Sequence, residues 1–419
     1  MPRPHSGRVK TDRSRRKLDV AVVTETYPPE VNGVARTIGA MVAGLRERGH
    51  RIQLVRPRQP GEDLAAPEPG LETVLRAGVP LPRYRELRMG LPAKRALLRA
   101  WRARRPDIVQ VVTEGPLGNS AVTAARTLGI PVVSEFHTNF HDYSRHYGLG
   151  LFSKLVAGYL RRLHNRADYT LVPTAELQSQ LAAAGYQRLG VVGRGIDLDL
   201  FGPRRRSAAL RQSWDAGDDD IVAVSVGRLA PEKNLRLFVE SCRAMQVVTP
   251  QLKVVVVGDG PDSGPLRAAN RDFVFAGMRT GAALAEHYAS ADVFLFPSLT
   301  ETFGNVTTEA MASRLAIVAF DYGAARQCLR HRASGLLAPY GETAPFVEAA
   351  QELAADPRLR AQIREGAADA AHGLTWARVI DDLEAIFGDL VTRSRAARLT
   401  TTAGSAGTPH IAETDRAPL

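Results

Sequence analysis

From Leu18 onward the chain alternates short β-branched runs with longer stretches of helical period, and it does so twice with one interruption. Strands alternating with helices pair in parallel and are covered on both faces, so they read as continuous apolar runs. LDVAVVT, DIVQVV, IPVVSEF and ADYTLVP read as buried strands of a first series, with ARTIGAMVAGLRERG and LFSKLVAGYLRRLHNRA as its helices. The segment at 196–219 carries Gly, Pro and mixed charge, has no strand pattern and reads as a linker. IVAVSVG, LKVVVVGDG, FVFAG, ADVFLFP, LAIVAF and GLLAP then form a second series. The expectation is α/β architecture in two Rossmann-like, doubly wound parallel-sheet domains, 18–195 and 220–375. Open parallel sheets bind ligands at the carboxyl ends of their strands, which places the site in the cleft between the two.

The length, 419 residues, suits two domains with sizeable cores, and 44% apolar with 24% charged residues excludes fibrous or wholly disordered chains. Two cysteines, Cys242 and Cys328, make no disulfide framework, which suits a reducing cytoplasm. No apolar run is long enough to span a membrane, and the first seventeen residues lack the apolar core of a secretory signal. Residues 1–17 and 400–419 are expected to be disordered tails, the first basic and the second small and polar. The net charge of +11 is uneven: residues 1–200 hold 31 Lys+Arg against 18 Asp+Glu, so the excess belongs to the first half. Arg76 to Arg105 alone carries ten basic residues and one acid, interleaved with Leu, Met, Trp and Tyr. This stretch is read as a solvated helix face, a nucleic-acid stripe or a surface for anionic lipid. No zinc finger, homeodomain or RNP motif accompanies it, so nucleic acid is not expected and peripheral contact with an anionic membrane is.

Four motifs follow predicted strands. SLTETFGNVTTEAMA sets Glu301 and Glu309 eight residues apart around Phe303, Gly304 and Asn305, with helical pattern resuming at Val306. Backbone N–H groups at such a helix start favour an anion, and carboxylates beside it suit the hydroxyls of a polyol. The alternative reading makes Glu309 a first-turn acid and Glu301 a solvated loop acid. VSVGRLAPEKN delivers Arg228 and Lys233 to a strand end, as either a pyrophosphate site or surface ion pairs. TETYPPEVNGVA turns into a helix at Gly33, which admits a phosphate or is a structural turn. In SEFHTNFHDYSRHYG, His137 stands at a strand end as a substrate contact, while His137, His141 and His146 as a metal site or as loop residues are the alternatives. GDGP at 258–261 and FAGM, with Gly277 and Met278, form either a nucleotide base pocket or tight turns.

Together TETYPPEVNGVA, FHTNF, VGRGID, VGRLAPEKN, VVVGDGP, FAGM and ETFGNVTTEAMAS resemble the retaining GT-B glycosyltransferases of family four, over about residues 18–390. Within that family the chain resembles the bacterial α-mannosyl- and glucosyltransferases that build glycolipids. The resemblance implies a GT-B fold whose last helix, 376–399, packs back on the first domain. It implies hexose transfer from a nucleoside diphosphate sugar, GDP-mannose or UDP-glucose, to a hydroxyl of a lipid or lipid-linked glycan. The configuration would be retained, with no cofactor and no metal, on the inner face of the membrane. By resemblance Arg228 and Lys233 hold the diphosphate, Gly33 supports it from the first domain, and Glu309 binds the ribose. Glu301 and the amides of Phe303, Gly304, Asn305 and Val306 hold the sugar, with His137 beside it, and the leaving phosphate accepts the acceptor's proton.

A glycoside hydrolase would need one carboxylic acid kept protonated, against neighbouring cations that lower its pKa. A nucleotide-sugar epimerase would turn over without acceptor, and a noncatalytic basic membrane- or nucleic-acid-binding protein would ignore nucleotide sugars. The chain departs from the family pattern at Arg314, where Gly is common, at Ala316, where Pro is common, and at Gln327, where Glu is common. These positions lie outside the expected donor contacts, so Arg314→Gly is expected to leave stability and turnover unchanged.

Overall fold

A computed structural model describes residues 16–30, 32–59, 61–62, 68–81, 84–137 and 150–405. The first unit contains β1 (Asp19–Val23), β2 (Arg51–Pro57), β3 (Leu71–Arg76), the hairpin β4 (Gly78–Leu81) and β5 (Tyr84–Gly90), then β6 (Ile108–Val111), β7 (Val132–Glu135), β8 (Tyr169–Val172) and β9 (Leu189–Val191). The second contains β10 (Val222–Val226), β11 (Lys253–Val257), β12 (Val274–Gly277), β13 (Val293–Phe296), β14 (Ala316–Phe320) and β15 (Leu336–Ala338). Except for the antiparallel hairpin, the strands pair in parallel, in the orders β3-β2-β1-β6-β7-β8-β9 and β12-β11-β10-β13-β14-β15. The order reverses between β1 and β6 and again between β10 and β13. At these points neighbouring loops diverge to opposite faces and leave a crevice.

All six strands of the second series lie where the apolar runs put them, and β10, β13 and β14 are buried along their whole length. The first unit holds more strands than the pattern revealed. β2 and β3 carry Arg51, Arg56, Glu72 and Arg76 on exposed or half-exposed positions near the sheet edge, which breaks the continuous apolar run of a central strand.

Two expectations about boundaries need correction. The segment 196–219 is not a loose linker: it contains the helix Ala208–Ser213, whose Arg211 is buried and donates to Asp292 at 2.9 Å and to the Ser290 carbonyl at 2.8 Å. Phe201 and Trp214 join the core of the second unit. A buried arginine paired to an aspartate looks polar in sequence, which hides the helix's attachment. The closing helix runs from Trp376 to Ser405, so residues 400–405, assigned above to the tail, are helical. There the Thr400 hydroxyl donates to the Ala397 carbonyl at 2.8 Å.

That helix returns to the first unit, where Val379, Ile380, Leu383 and Phe387 pack with Ile38, Met41 and Leu45. Glu384 anchors it against His50 at 2.8 Å and Arg48 at 3.0 Å. The two passages between units lie side by side, since the Ile196 amide donates to the Leu374 carbonyl at 2.8 Å. A Cβ on Gly195 would lie 2.6 Å from the Trp376 backbone nitrogen, so only glycine admits this crossing.

Candidate active site

Most of the residues singled out above arrive at the two switch points. After β13 come Glu301, Phe303 and Gly304, then the helix Asn305–Ala312; after β10 come Arg228 and the tight turn Pro231–Lys233. Gly304 has φ of 99°, in the left-handed region, and starts the helix without strain. The amides of Asn305 and Val306 belong to the first turn and have no acceptor within the helix. Across the cleft Gly33 opens the helix Gly33–Glu47, capped by the Asn32 side chain, which accepts from the Ala35 amide at 2.8 Å. A Cβ on Gly33 would lie 3.8 Å from the Asn305 side-chain nitrogen. Two helix N-termini, one from each unit, therefore meet here, and each favours negative charge.

Lys233 donates to Glu301, which also accepts from the Ser298 hydroxyl at 2.9 Å, and its ammonium lies 5.6 Å from the centre of the Phe296 ring. Arg228 is exposed at the mouth of the same loop. The GDGP motif supports this loop. A Cβ on Gly258 would lie 1.8 Å from the Gly227 carbonyl oxygen and one on Gly260 2.3 Å from that of Leu229, so glycines let the two loops touch. Gly277 ends β12 with open space around its α-carbon, and Met278 beside it is exposed.

Glu309 is 1% exposed, yet its carboxylate is fully engaged. Arg36 of the first unit approaches Oε1 at 2.7 Å and the Tyr288 hydroxyl donates to Oε2 at 3.0 Å. Burial raises the Glu309 pKa, and the Arg36 guanidinium and Tyr288 hydroxyl oppose that rise. Other contacts also span the cleft: Thr302 Oγ1 donates to the His137 carbonyl at 3.0 Å, Arg326 pairs with Glu176 at 2.9 Å, and Gln327 donates to the Pro173 carbonyl at 3.3 Å. A carboxylate at 327 has no proton for that carbonyl, so the departure from the family pattern changes an interdomain contact. Ala316 is buried at the start of β14.

The His137 imidazole is committed elsewhere. Nε2 lies 2.9 Å from Glu135 Oε2, and Nδ1 lies 3.4 Å from Arg194 Nη2. Arg194 has only donors, so Nδ1 is the acceptor and the ring proton sits on Nε2, toward Glu135. It is the His137 carbonyl that reaches the second unit. Among the described residues no group of three or more His, Cys, Asp or Glu is placed to hold a metal. His141 and His146 lie outside them.

Several residues of the cleft were missed in the sequence. Arg36 and Tyr288 touch Glu309. On the first unit, Glu25 follows β1 and Glu114 follows β6, one on each side of the switch point. Burial pushes the Glu25 carboxyl up to about 7, opposed by the Leu117 and Gly90 amides and reinforced by Glu114. Glu114 is held below the usual carboxylate range by His164 and His137 despite its burial. Acids directly after strands, in TETYPP and VVTEGP, were the available signal.

The basic stretch is not a single amphipathic helix. It divides into the end of β3, the hairpin and the helix Lys94–Ala103, whose Leu97 and Trp101 are fully buried in the core. Its exposed residues are the basic Lys94, Arg95, Arg99 and Arg102 and the terminal Ala103. No helix of the described residues is long and apolar enough to cross a membrane.

The sequence matches the family model described as Glycosyltransferase Family 4 over residues 31–200 and that described as Glycosyl transferases group 1 over 220–356. It is 34% identical over 381 residues to the GDP-mannose-dependent alpha-mannosyltransferase of Mycobacterium tuberculosis (strain CDC 1551 / Oshkosh), covering 90% of this chain and 98% of that one. It is 26% identical over 320 residues to the alpha-monoglucosyldiacylglycerol synthase of Acholeplasma laidlawii, covering 72% and 80%. Its fold is similar to that of the sucrose-phosphate synthase of Thermosynechococcus elongatus, with a TM-score of 0.74 at 17% identity, covering 90% of this chain and all of that one. With two parallel sheets facing across a cleft and this agreement along nearly its whole length, the chain belongs to glycosyltransferase family 4 and is a GT-B glycosyltransferase.

Proposed function

We propose that this glycosyltransferase moves a mannosyl residue from GDP-mannose to a hydroxyl of a lipid or lipid-linked glycan, with retention of configuration. The observation that carries the reading is the meeting of Glu309, Glu301, Lys233 and the Asn305 helix start with Gly33, in a chain aligned with 98% of a GDP-mannose-dependent relative. In this reading Arg228, Lys233 and the amides of Gly304, Asn305 and Val306 take the diphosphate. Glu309 exchanges Arg36 for the ribose hydroxyls, and Gly277 and Met278 border the base. Glu301 and Phe303 border the sugar, and Lys233, already on Glu301, links the sugar subsite to the diphosphate. His137 contributes through its carbonyl and the Thr302 contact.

Chemically, the C1–oxygen bond to the diphosphate breaks as the acceptor oxygen bonds to C1 on the same face, and the departing phosphate oxygen takes the acceptor's proton. Negative charge grows on the leaving group, where two fixed cations and a helix start stabilise it most in the transition state. These groups substitute for a divalent metal, so turnover persists in EDTA. Glu25 and Glu114, at the switch point of the first sheet, receive acceptor hydroxyls. The exposed arginines of the helix Lys94–Ala103 hold the enzyme at an anionic membrane surface on its cytoplasmic side.

The test is transfer of label from GDP-mannose and UDP-glucose to a bacterial lipid extract with EDTA present, followed by NMR of the product's anomeric proton. An α-mannosyl lipid is expected. Transfer only from UDP-glucose replaces the donor, and loss of turnover in EDTA contradicts the metal-independent step.

A further inference from the structure

At the carboxyl ends of β2 and β3, Arg58, Arg76 and Arg88 line a cavity of about 490 Å³, and no acidic side chain lines it among the described residues. The hairpin brings them together. A Cβ on Gly78 would lie 2.8 Å from the Pro57 side chain, so glycine seats β4 directly on the end of β2 and carries Arg88 over it. Guanidinium groups do not lose their protons in proteins, so the three positive charges stay.

Among the described residues the hydrogen bonds of these arginines go to backbone carbonyls: Arg58 to that of Glu62 at 3.4 Å, Arg76 to that of Leu75 at 3.4 Å, and Arg88 to that of Gly78 at 2.6 Å, while the charge of Arg58 also acts on the Glu62 carboxylate. The Nε groups of Arg76 and Arg88 are buried and have no hydrogen-bond partner among the described residues. The Nε of the neighbouring Arg56 is likewise without a partner among the described residues, but its two terminal nitrogens grip both carboxylate oxygens of Glu62, which Arg76 and Arg88 do not match. Clustered like charge with buried, unused N–H donors is costly until an anion accepts them, and the guanidinium fork matches a phosphate.

We propose that this cavity is a phosphate-ester site that holds the phosphate of the acceptor or of its lipid headgroup, an inference that rests on the proposed transfer to a lipid for the ligand's identity. The volume falls in the range of small-molecule sites, roughly 300–1000 Å³, and leaves room for a polyol beside the phosphate. The cavity wall is also joined to the cleft. Gln59 donates to Glu30, Glu30 accepts from Thr26, and the Thr26 hydroxyl accepts from Asn32, which caps the helix beginning at Gly33.

The test uses the full-length protein, titrated calorimetrically with sn-glycerol 3-phosphate and, separately, with vesicles of phosphatidylglycerol or phosphatidylcholine. The variants are Arg76→Gln, Arg88→Gln and, for a side chain at the exposed rim, Arg58→Gln. GDP binding serves as the check that each variant is folded. The expected result is binding of the phosphate ester or of phosphatidylglycerol, weakened about tenfold or more in the variants, with GDP binding unchanged. Ester binding identifies a small phosphate as sufficient, and vesicle binding alone assigns the site to a lipid headgroup. No binding of either, or equal binding by the parent and the three variants, overturns the proposal. Failure of the parent protein to bind GDP would strike the proposed transfer instead.

Discussion

Replacing Glu25 by glutamine gives a pH signature that the first sheet's switch point dictates. In the folded protein burial raises this carboxyl from 4.5 to about 7, with Glu114 adding to the effect. A raised folded-state pKa means that the fold favours the protonated form. Its contribution is fully present below the unfolded value near 4.5 and is lost as pH rises through about 7. At about 1.36 kcal/mol per pH unit, the contribution changes by ~3 kcal/mol across that window. Glutamine stays neutral and keeps an acceptor for the Leu117 amide, which Glu25 accepts at 3.2 Å. Denaturant unfolding of both proteins at pH 5, 6, 7 and 8 should therefore show Glu25→Gln gaining on the parent as pH rises, by roughly 2–3 kcal/mol overall. Parallel stability curves would refute the reasoning, since they would mean that Glu25 is ionised at little cost in the folded state.

Arg314 adopts φ of 62°, in the region where a side chain is strained, and its ion pair with Glu365 is exposed. Arg314→Gly should thus be more stable by about 1 kcal/mol with turnover unchanged, which corrects the sequence-based expectation of unchanged stability and is read by thermal unfolding. Arg36→Met removes the partner that nucleotide must displace from Glu309, so GDP should bind more tightly by about 1–2 kcal/mol in calorimetry. Weaker binding would mean that Arg36 is itself a donor ligand. Treatment with EDTA should leave turnover intact, as measured by label transfer.

The second sheet was almost fully legible because its central strands are buried on both faces, and VAVSV, KVVVV and AIVAF leave no other reading. Glu301, Gly304, Glu309 and Lys233 were legible for a different reason: loops at strand ends carry chemistry, and Gly304 stands where positive φ is required. Arg36 was hidden inside a helical pattern as one more surface cation, since its partner lies 273 positions further along the chain. Long-range pairs of this kind leave no local trace. The same holds for Arg211 with Asp292 and for Arg194 with His137. Nor did the interleaved charge of Arg76–Arg105 reveal that Leu97 and Trp101 turn inward, because amphipathic helices that face a core and those that face a membrane share one period.

The central claim is that the cleft binds a nucleoside diphosphate through Lys233 and the start of the helix Asn305–Ala312. It is tested most directly by the thermal stability of the purified protein with GDP, UDP, ADP and dTDP and their common sugar conjugates. A ligand at a hundred times its Kd adds about 2.7 kcal/mol, which shifts Tm by roughly 5–10 °C for a unit of this size. The account predicts such a shift with GDP and GDP-mannose, absent in Lys233→Ala. No shift with any nucleotide, or a shift that survives intact in Lys233→Ala, would contradict it.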